Sequence, residues 1–225
     1  MKLVQHHGDF VVFDDILDEQ AFLRVAHYVR HEALLRSVHA GPDGYDRVFS
    51  FHDGQPLASA AILLEVKRGK RRLRAGAPLA LQGPDRYPYP SDCALDLVVE
   101  SLLSRFDRFA NLVGEPNRDW RTLSARAFVY PPGTSLDWHN DGGQVTGAYT
   151  YYANLEWRPE WGGELLIRAG ETPDAGVFIQ PRPNRLVIIR GNTPHKLCKV
   201  GVLAGNSGRA SVSGFFDRMA LAEEG

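Results

Sequence analysis

His139 and Asp141 stand two apart in Trp138-His139-Asn140-Asp141. On an extended segment side chains alternate, so these two point the same way. A neutral imidazole and a carboxylate converging on one point supply two ligands for a borderline divalent metal. A third stands at His195, in Thr193-Pro194-His195-Lys196, after the apolar run Leu186-Val187-Ile188-Ile189 and a tight turn. In an antiparallel jelly roll the strand containing His139 and the strand opened by His195 can lie side by side. Two imidazoles and one carboxylate on one face leave positions open on the metal, the ligand set of non-haem Fe(II) chemistry. Further along, Arg209-Ala210-Ser211-Val212-Ser213 alternates, with Arg209, Ser211 and Ser213 on one face. A guanidinium fork with a hydroxyl beside it suits a single carboxylate. Taken singly, each segment has an ordinary structural reading: a chance His-x-Asp, a surface histidine, a solvent-facing strand.

The elements that must position these residues fall into two stretches. Before about residue 120 the pattern is mixed. Phe10-Val11-Val12-Phe13 reads as a strand, and a helix is expected from about Asp18 to Val38, with Phe22, Val25, Val29, Ala33 and Leu34 on one face. Gly41-Pro42-Asp43-Gly44 must end it. Residues 61–66 read as a strand, and 67–74 hold six basic residues in eight. Three prolines keep 84–90 out of regular structure. Ser91 or Asp92 is the expected cap of a second helix over about 92–113, with Leu95, Val98, Val99, Leu102, Leu103, Phe106 and Phe109 as its apolar stripe. From Trp120 onward short strands recur at Ala125–Tyr130, Ala148–Leu155, Glu164–Ala169, Gly176–Gln180, Arg185–Arg190, His195–Val200 and Arg209–Phe216, separated by Gly-, Pro- and Asn-rich turns. That cadence predicts a sandwich or jelly roll. The expected fold is mainly β with flanking helices: a double-stranded β-helix core over 121–218, packed by N-terminal helices from 1–120, in a single domain spanning 1–225.

Composition narrows the function. The 225 residues are 44% hydrophobic and 24% charged, which is globular rather than disordered. Lys plus Arg number 26 against 27 Asp plus Glu, a net charge of −1 that excludes a strongly basic nucleic-acid binder. Two cysteines, Cys93 and Cys198, do not make a disulfide scaffold or a Cys-rich zinc site. Neither a signal peptide nor a run of apolar residues long enough to span a membrane is read, so a cytoplasmic protein without membrane contact is expected.

The joint order is more specific than its parts: Tyr130-Pro131-Pro132-Gly133, His139-x-Asp141, Tyr151-Tyr152-Ala153-Asn154, Gly162-Gly163-Glu164-Leu165, Pro183-x-Arg185-Leu186-Val187-Ile188, His195 and Arg209-x-Ser211. It resembles the prolyl-4-hydroxylase-like branch of the 2-oxoglutarate- and Fe(II)-dependent dioxygenases, over about 121–218. The resemblance implies His139, Asp141 and His195 as catalytic iron ligands. It implies Arg209, assisted by Ser211, at the distal carboxylate of 2-oxoglutarate, Tyr152 against the cosubstrate, and Tyr130 as a pocket tyrosine. It implies Fe(II), 2-oxoglutarate and O2, with ascorbate as an optional reductant. A carboxylate at Asp141, where related halogenases carry Gly or Ala, points to hydroxylation. Several relatives place the cosubstrate-binding basic residue nearer the distal histidine, which makes Lys196 and Lys199 the competitors of Arg209.

The expected substrate is an amino-acid residue in a peptide or protein, or a small amino-acid-like metabolite. Two alternatives stand beside it. The basic run motivates an oxygenase that dealkylates nucleic acid, against which the net charge argues. A metal-binding jelly roll acting as an isomerase or binding module would keep the shell without using 2-oxoglutarate. The basic run itself reads as a solvated hairpin tip, Tyr149, Tyr151, Trp157 and Trp161 as packing, and His6-His7 as an exposed N-terminal pair.

Overall fold

The computed structural model describes residues 2–32, 35–39, 48–51, 62–65, 72–75, 94–168 and 175–218. The chain opens with β1 (Lys2–His6) and β2 (Phe10–Asp14), then α1 (Glu19–His27), a π turn, and β3 (Leu35–His39) to β4 (Val48–Phe51). The strands β5 (Ile62–Glu65) and β6 (Arg72–Ala75) form an antiparallel pair of their own. α2 (Leu95–Leu103) and the short α3 (Ala110–Val113) follow. The remaining strands are β7 (Trp120–Leu123), β8 (Arg126–Tyr130), β9 (Leu136–His139), β10 (Val145–Tyr152), β11 (Leu165–Arg168), β12 (Gly176–Ile179), β13 (Leu186–Arg190), β14 (His195–Leu197) and β15 (Arg209–Arg218).

Two sheets make the core. The larger runs β1-β2-β13-β10-β15-β8-β4-β3, with β7 also pairing β15; the smaller runs β12-β11-β14-β9. All the strand pairs among the described residues are antiparallel, and the chain alternates between the two sheets over β8 to β11 and again over β12 to β15, the wiring of a jelly roll. The period of two splits each central strand between two cores. Val11, Phe13, Tyr149, Tyr151, Ile188, Ala210, Val212 and Phe216 face a cluster built with Val25 and Val29 of the α1 region and with Val98, Val99, Leu102, Phe106 and Phe109. Phe10, Val12, Tyr152, Val187 and Ile189 face the other way, onto Leu165, Ile167 and Ile179 of the smaller sheet. The strand read at Phe10–Phe13 is thus buried on both faces.

The helices depart from the sequence reading. Asp18 caps α1, its Oδ1 accepting from the Ala21 amide at 2.8 Å. The helix does not reach Val38: it passes into a π turn at Tyr28–Glu32, and 35–39 is a strand. Pairing of 35–39 with β4, itself paired to β8, overrides the helical pattern there, and Ala33 and Leu34 lie outside the described residues. The single helix expected over 92–113 is broken by a 3-10 turn at Phe106–Arg108. Ser104 Oγ and Arg105 Nη1 both donate to the Ser101 carbonyl, at 2.9 and 3.0 Å, where the helix would otherwise continue. The break lets Phe106 and Phe109 both reach the aromatic cluster with Trp120 and Phe216. The residue at the start of α2 is Ala94, without a side-chain cap. Ser91, Asp92, the turn at 41–44, the proline-rich 84–90 and the basic positions 67–71 lie outside the described residues. No helix among the described residues is long and apolar enough to cross a membrane.

Candidate active site

β9 and β14 are neighbours in the smaller sheet, and His139 and His195 are direct register partners across them. Their rings sit 4.3 Å apart between centroids. Asp141, two residues past His139, brings Oδ2 to 3.9 Å from His195 Nε2. One ligand atom from each of the three lies within 4.8 Å of the others. Each imidazole is anchored from behind. His139 Nδ1 lies 2.7 Å from the Asp137 carbonyl and His195 Nδ1 lies 2.9 Å from the Thr193 carbonyl. A carbonyl only accepts, so Nδ1 carries the proton in both rings and Nε2 presents its lone pair. Burial pushes the His195 pKa down, opposed by the carboxylate of Asp141 and the Thr193 carbonyl, so the ring is held neutral. A neutral ring is the form that ligates metal.

The second part of the site lies on the facing wall. Arg209 opens β15 opposite Tyr130 of β8, and Ser211 pairs with Tyr152 of β10. Arg209 is 1% exposed, and its guanidinium carbon lies 5.0 Å from the Tyr130 ring centre and 4.8 Å from that of Tyr152. The rings form a slot for the planar cation. Among the described residues no carboxylate pairs with Arg209, and its Nε, the Tyr152 hydroxyl and the Ser211 hydroxyl are all buried without a hydrogen-bond partner. Buried polar atoms are normally satisfied, so three orphans converging on one spot mark a place built for a polar guest. Burial also raises the Tyr130 pKa, which keeps its phenol protonated.

Two further features hold this wall in place. Asn154 is fully buried; its Nδ2 donates to the Gly208 carbonyl at 2.9 Å and its Oδ1 accepts from the Ala210 amide at 2.8 Å. It therefore brackets Arg209 from both sides along the backbone. The glycine pair Gly162-Gly163, read as a turn, has φ of +66° and +72°, and a Cβ on Gly163 would stand 3.1 Å from Arg209 Cδ. The turn is tight because the arginine passes over it. The competing lysines face outward: Lys196 pairs with Asp137 at 3.1 Å, and Lys199 is exposed. His6 lies in the exposed β1, and His7 stacks on Phe10 at 5.3 Å. Tyr149 and Tyr151 turn their hydroxyls to the Ser124 carbonyl and Asn184 Oδ1, and Trp157 and Trp161 pack edge to face.

Triad and arginine line one cavity of about 270 Å³ between the sheets. Residues 125–217, the strands that build it, match the 2OG-Fe(II) oxygenase superfamily. Over those residues the chain is similar to the 2OG-Fe(II) oxygenases, and all three residues of the triad lie within them. No curated protein matches the chain by sequence. Solved structures share its fold at low identity. A prolyl-4-hydroxylase from Pseudomonas putida is 16% identical with a TM-score of 0.59, over 95% of this chain and 94% of that one. A prolyl hydroxylase from Trichoplax adhaerens, solved with a hypoxia inducible factor peptide fragment, is 14% identical with a TM-score of 0.62, over 93% and 84%. The epimerase SnoN of nogalamycin biosynthesis is 14% identical with a TM-score of 0.51, over 92% and 76%. The superfamily implies Fe(II), 2-oxoglutarate and O2, and the chain has residues of the right chemistry for the first two. Two neutral imidazoles and a carboxylate suit Fe(II). The three orphaned polar atoms around a buried guanidinium suit a carboxylate.

Proposed function

We propose that the protein hydroxylates an unactivated C–H bond of an amino-acid residue in a peptide or protein, or of a small amino-acid-like metabolite, coupled to decarboxylation of 2-oxoglutarate to succinate. The observation that carries this reading is the pairing, in one cavity, of the His139–Asp141–His195 cluster with a buried arginine whose neighbouring polar atoms lack partners. His139, Asp141 and His195 hold the iron. Arg209 receives the distal carboxylate of 2-oxoglutarate, with Ser211 and Tyr152 donating their unpaired hydroxyls. Tyr130 flanks the guanidinium and, being protonated, offers a further donor to the cosubstrate. When bound, iron and 2-oxo acid supply the oxidising chemistry, drawing on dioxygen as the co-reactant.

The chain's own residues orient and exclude. The Asp137 and Thr193 carbonyls fix the two imidazoles. Asp141 fills the third ligand position with a carboxylate, which leaves no protein-side vacancy for a halide and favours hydroxylation. The apolar side chains of Leu136, Leu165, Ile189 and Leu197 keep the surroundings dry. One of the similar structures was solved with a peptide fragment and another is an epimerase of a biosynthetic route, which is why both substrate sizes stay within the proposal. The test is aerobic incubation with Fe(II), 2-oxoglutarate, capped peptides and free amino acids, read by mass spectrometry. A product heavier by one oxygen atom, formed in step with succinate, is expected. Substrate-dependent succinate without any oxygenated product would contradict hydroxylation.

A further inference from the structure

A second pair of histidines approaches as closely as a shared metal requires. His27 ends α1, and His31 stands four residues on, in the π turn Tyr28–Glu32. Residues four apart on a helical stretch share a face, the spacing by which two histidines of one helix hold zinc. A π turn is rare and frequently marks a functional position. Both histidines are exposed, while Val25 and Ala26 before them and Tyr28 and Val29 between them are buried. The core thus holds the backbone of the turn, and the two imidazoles stand on its solvent side.

Their ring centres lie 4.8 Å apart, with the planes inclined by 43°. That inclination is not parallel stacking. Two imidazoles on one tetrahedral Zn(II), with Zn–N bonds of about 2.0–2.1 Å, place their ring centres roughly 5 Å apart. The histidine pair of the triad, at 4.3 Å and 58°, has a similar disposition. Neither His27 nor His31 lines the cavity, so the pair is separate from the triad. An imidazole has two ring nitrogens, and one engaged by a neighbour leaves the other for a metal, as at His139 and His195. Imidazole suits borderline ions such as Zn(II), Ni(II) and Cu(II), whereas Mg(II) and Ca(II) take oxygen.

We infer that His27 and His31 form a second metal site, on the surface at the end of α1, for a borderline divalent cation. Two protein donors leave the remaining positions to water, so the site is open and its ion exchanges. The bound ion ties the last turn of α1 to the π turn, and because it needs the folded spacing, it stabilises the folded chain.

Zn(II) is titrated into the whole metal-free chain, with the imidazole nitrogens followed one by one by long-range proton–nitrogen NMR. The wild type is expected to take two equivalents, one shifting His139 and His195 and the other shifting His27 and His31 together. His139→Ala with His195→Ala is expected to remove the first and keep the second, and in that background Zn(II) is expected to raise the thermal midpoint. His27→Gln with His31→Gln is expected to abolish the second equivalent and the midpoint shift while leaving the triad signals unchanged. Either single variant is expected to weaken the second equivalent at least about tenfold, since one imidazole then replaces a chelating pair. Zn(II) that moves only one of the two rings, or neither, or a second equivalent that survives in the His27 and His31 double variant, would overturn the inference. The wild-type titration settles the first of these outcomes without any variant having to fold.

Discussion

Each residue of the site is committed by a neighbour that removes its alternatives. The Asp137 and Thr193 carbonyls take Nδ1 of the two histidines, at 2.7 and 2.9 Å, which leaves only Nε2 for a metal. Burial lowers the His195 pKa, so the folded chain resists a proton that the unfolded chain accepts near the ordinary value of about 6.5. The unfolded state then binds more protons below that value, and stability falls there as pH falls. The metal-free protein is therefore expected to lose stability as pH falls through about 6.5, measured as a urea midpoint, and His195→Gln is expected to flatten that slope. An unchanged slope in the variant contradicts the assignment. Arg209→Ala removes the buried cation and is expected to weaken 2-oxoglutarate by about 2–3 kcal/mol, the worth of charged hydrogen bonds, read by cosubstrate titration. Lys199→Ala, which alters an exposed side chain, is expected to leave it unchanged; the reverse result would reassign the cosubstrate site. His139, Asp141, His195, Arg209 and Ser211 could be singled out in the sequence by residue type and alternation, and Tyr152 and Tyr130 by the family resemblance; the structure gathers the first three within 4.8 Å and sets Arg209 between the two tyrosine rings. The hold of Asn154 on the backbone beside Arg209 was not legible, because it exists only through contacts between residues 54 and 56 positions apart.

At the scale of elements, what positions the site is a few turns and brackets. Asn154 satisfies two buried backbone groups that flank Arg209. Asn154→Ala leaves both unpaired, and a loss of about 2 kcal/mol or more in stability is expected, with weaker 2-oxoglutarate binding. Full retention of cosubstrate affinity in a folded variant would show that the bracket does not set the arginine. A buried fork from Arg185 to Asp14, with Nε to Oδ1 at 2.6 Å and Nη2 to Oδ2 at 3.0 Å, ties β2 to the turn before β13. Asp14→Ala strands the guanidinium and is expected to cost about 3–5 kcal/mol, seen as a lower denaturant midpoint; a change below about 1 kcal/mol contradicts the pair's role. The strands at 125–130, 148–155, 164–169, 176–180, 185–190, 195–200 and 209–216 were legible because period two and turn residues agree there, whereas β7 at Trp120–Leu123 was not read. The N-terminal helices were not legible, since β3, β4 and the aromatic cluster around Trp120 impose tertiary pairings that local propensity does not contain.

For the molecule as a whole, the two sheets bring residues from β8, β9, β10, β14 and β15 to one cavity. Local patterns identify the strands, while their order comes from the antiparallel pairing that sets His139 opposite His195 and Arg209 opposite Tyr130. The central claim is that this cavity holds Fe(II) and 2-oxoglutarate together, between the triad and Arg209. Adding 2-oxoglutarate to the anaerobic Fe(II)-loaded protein tests it most directly, through the visible charge-transfer band of a chelated 2-oxo acid. A band is expected in the wild type, lost in His139→Ala and in Asp141→Ala, and in Arg209→Ala requiring far more 2-oxoglutarate to appear. A folded, metal-loaded protein that gives no band at any 2-oxoglutarate concentration would contradict the account.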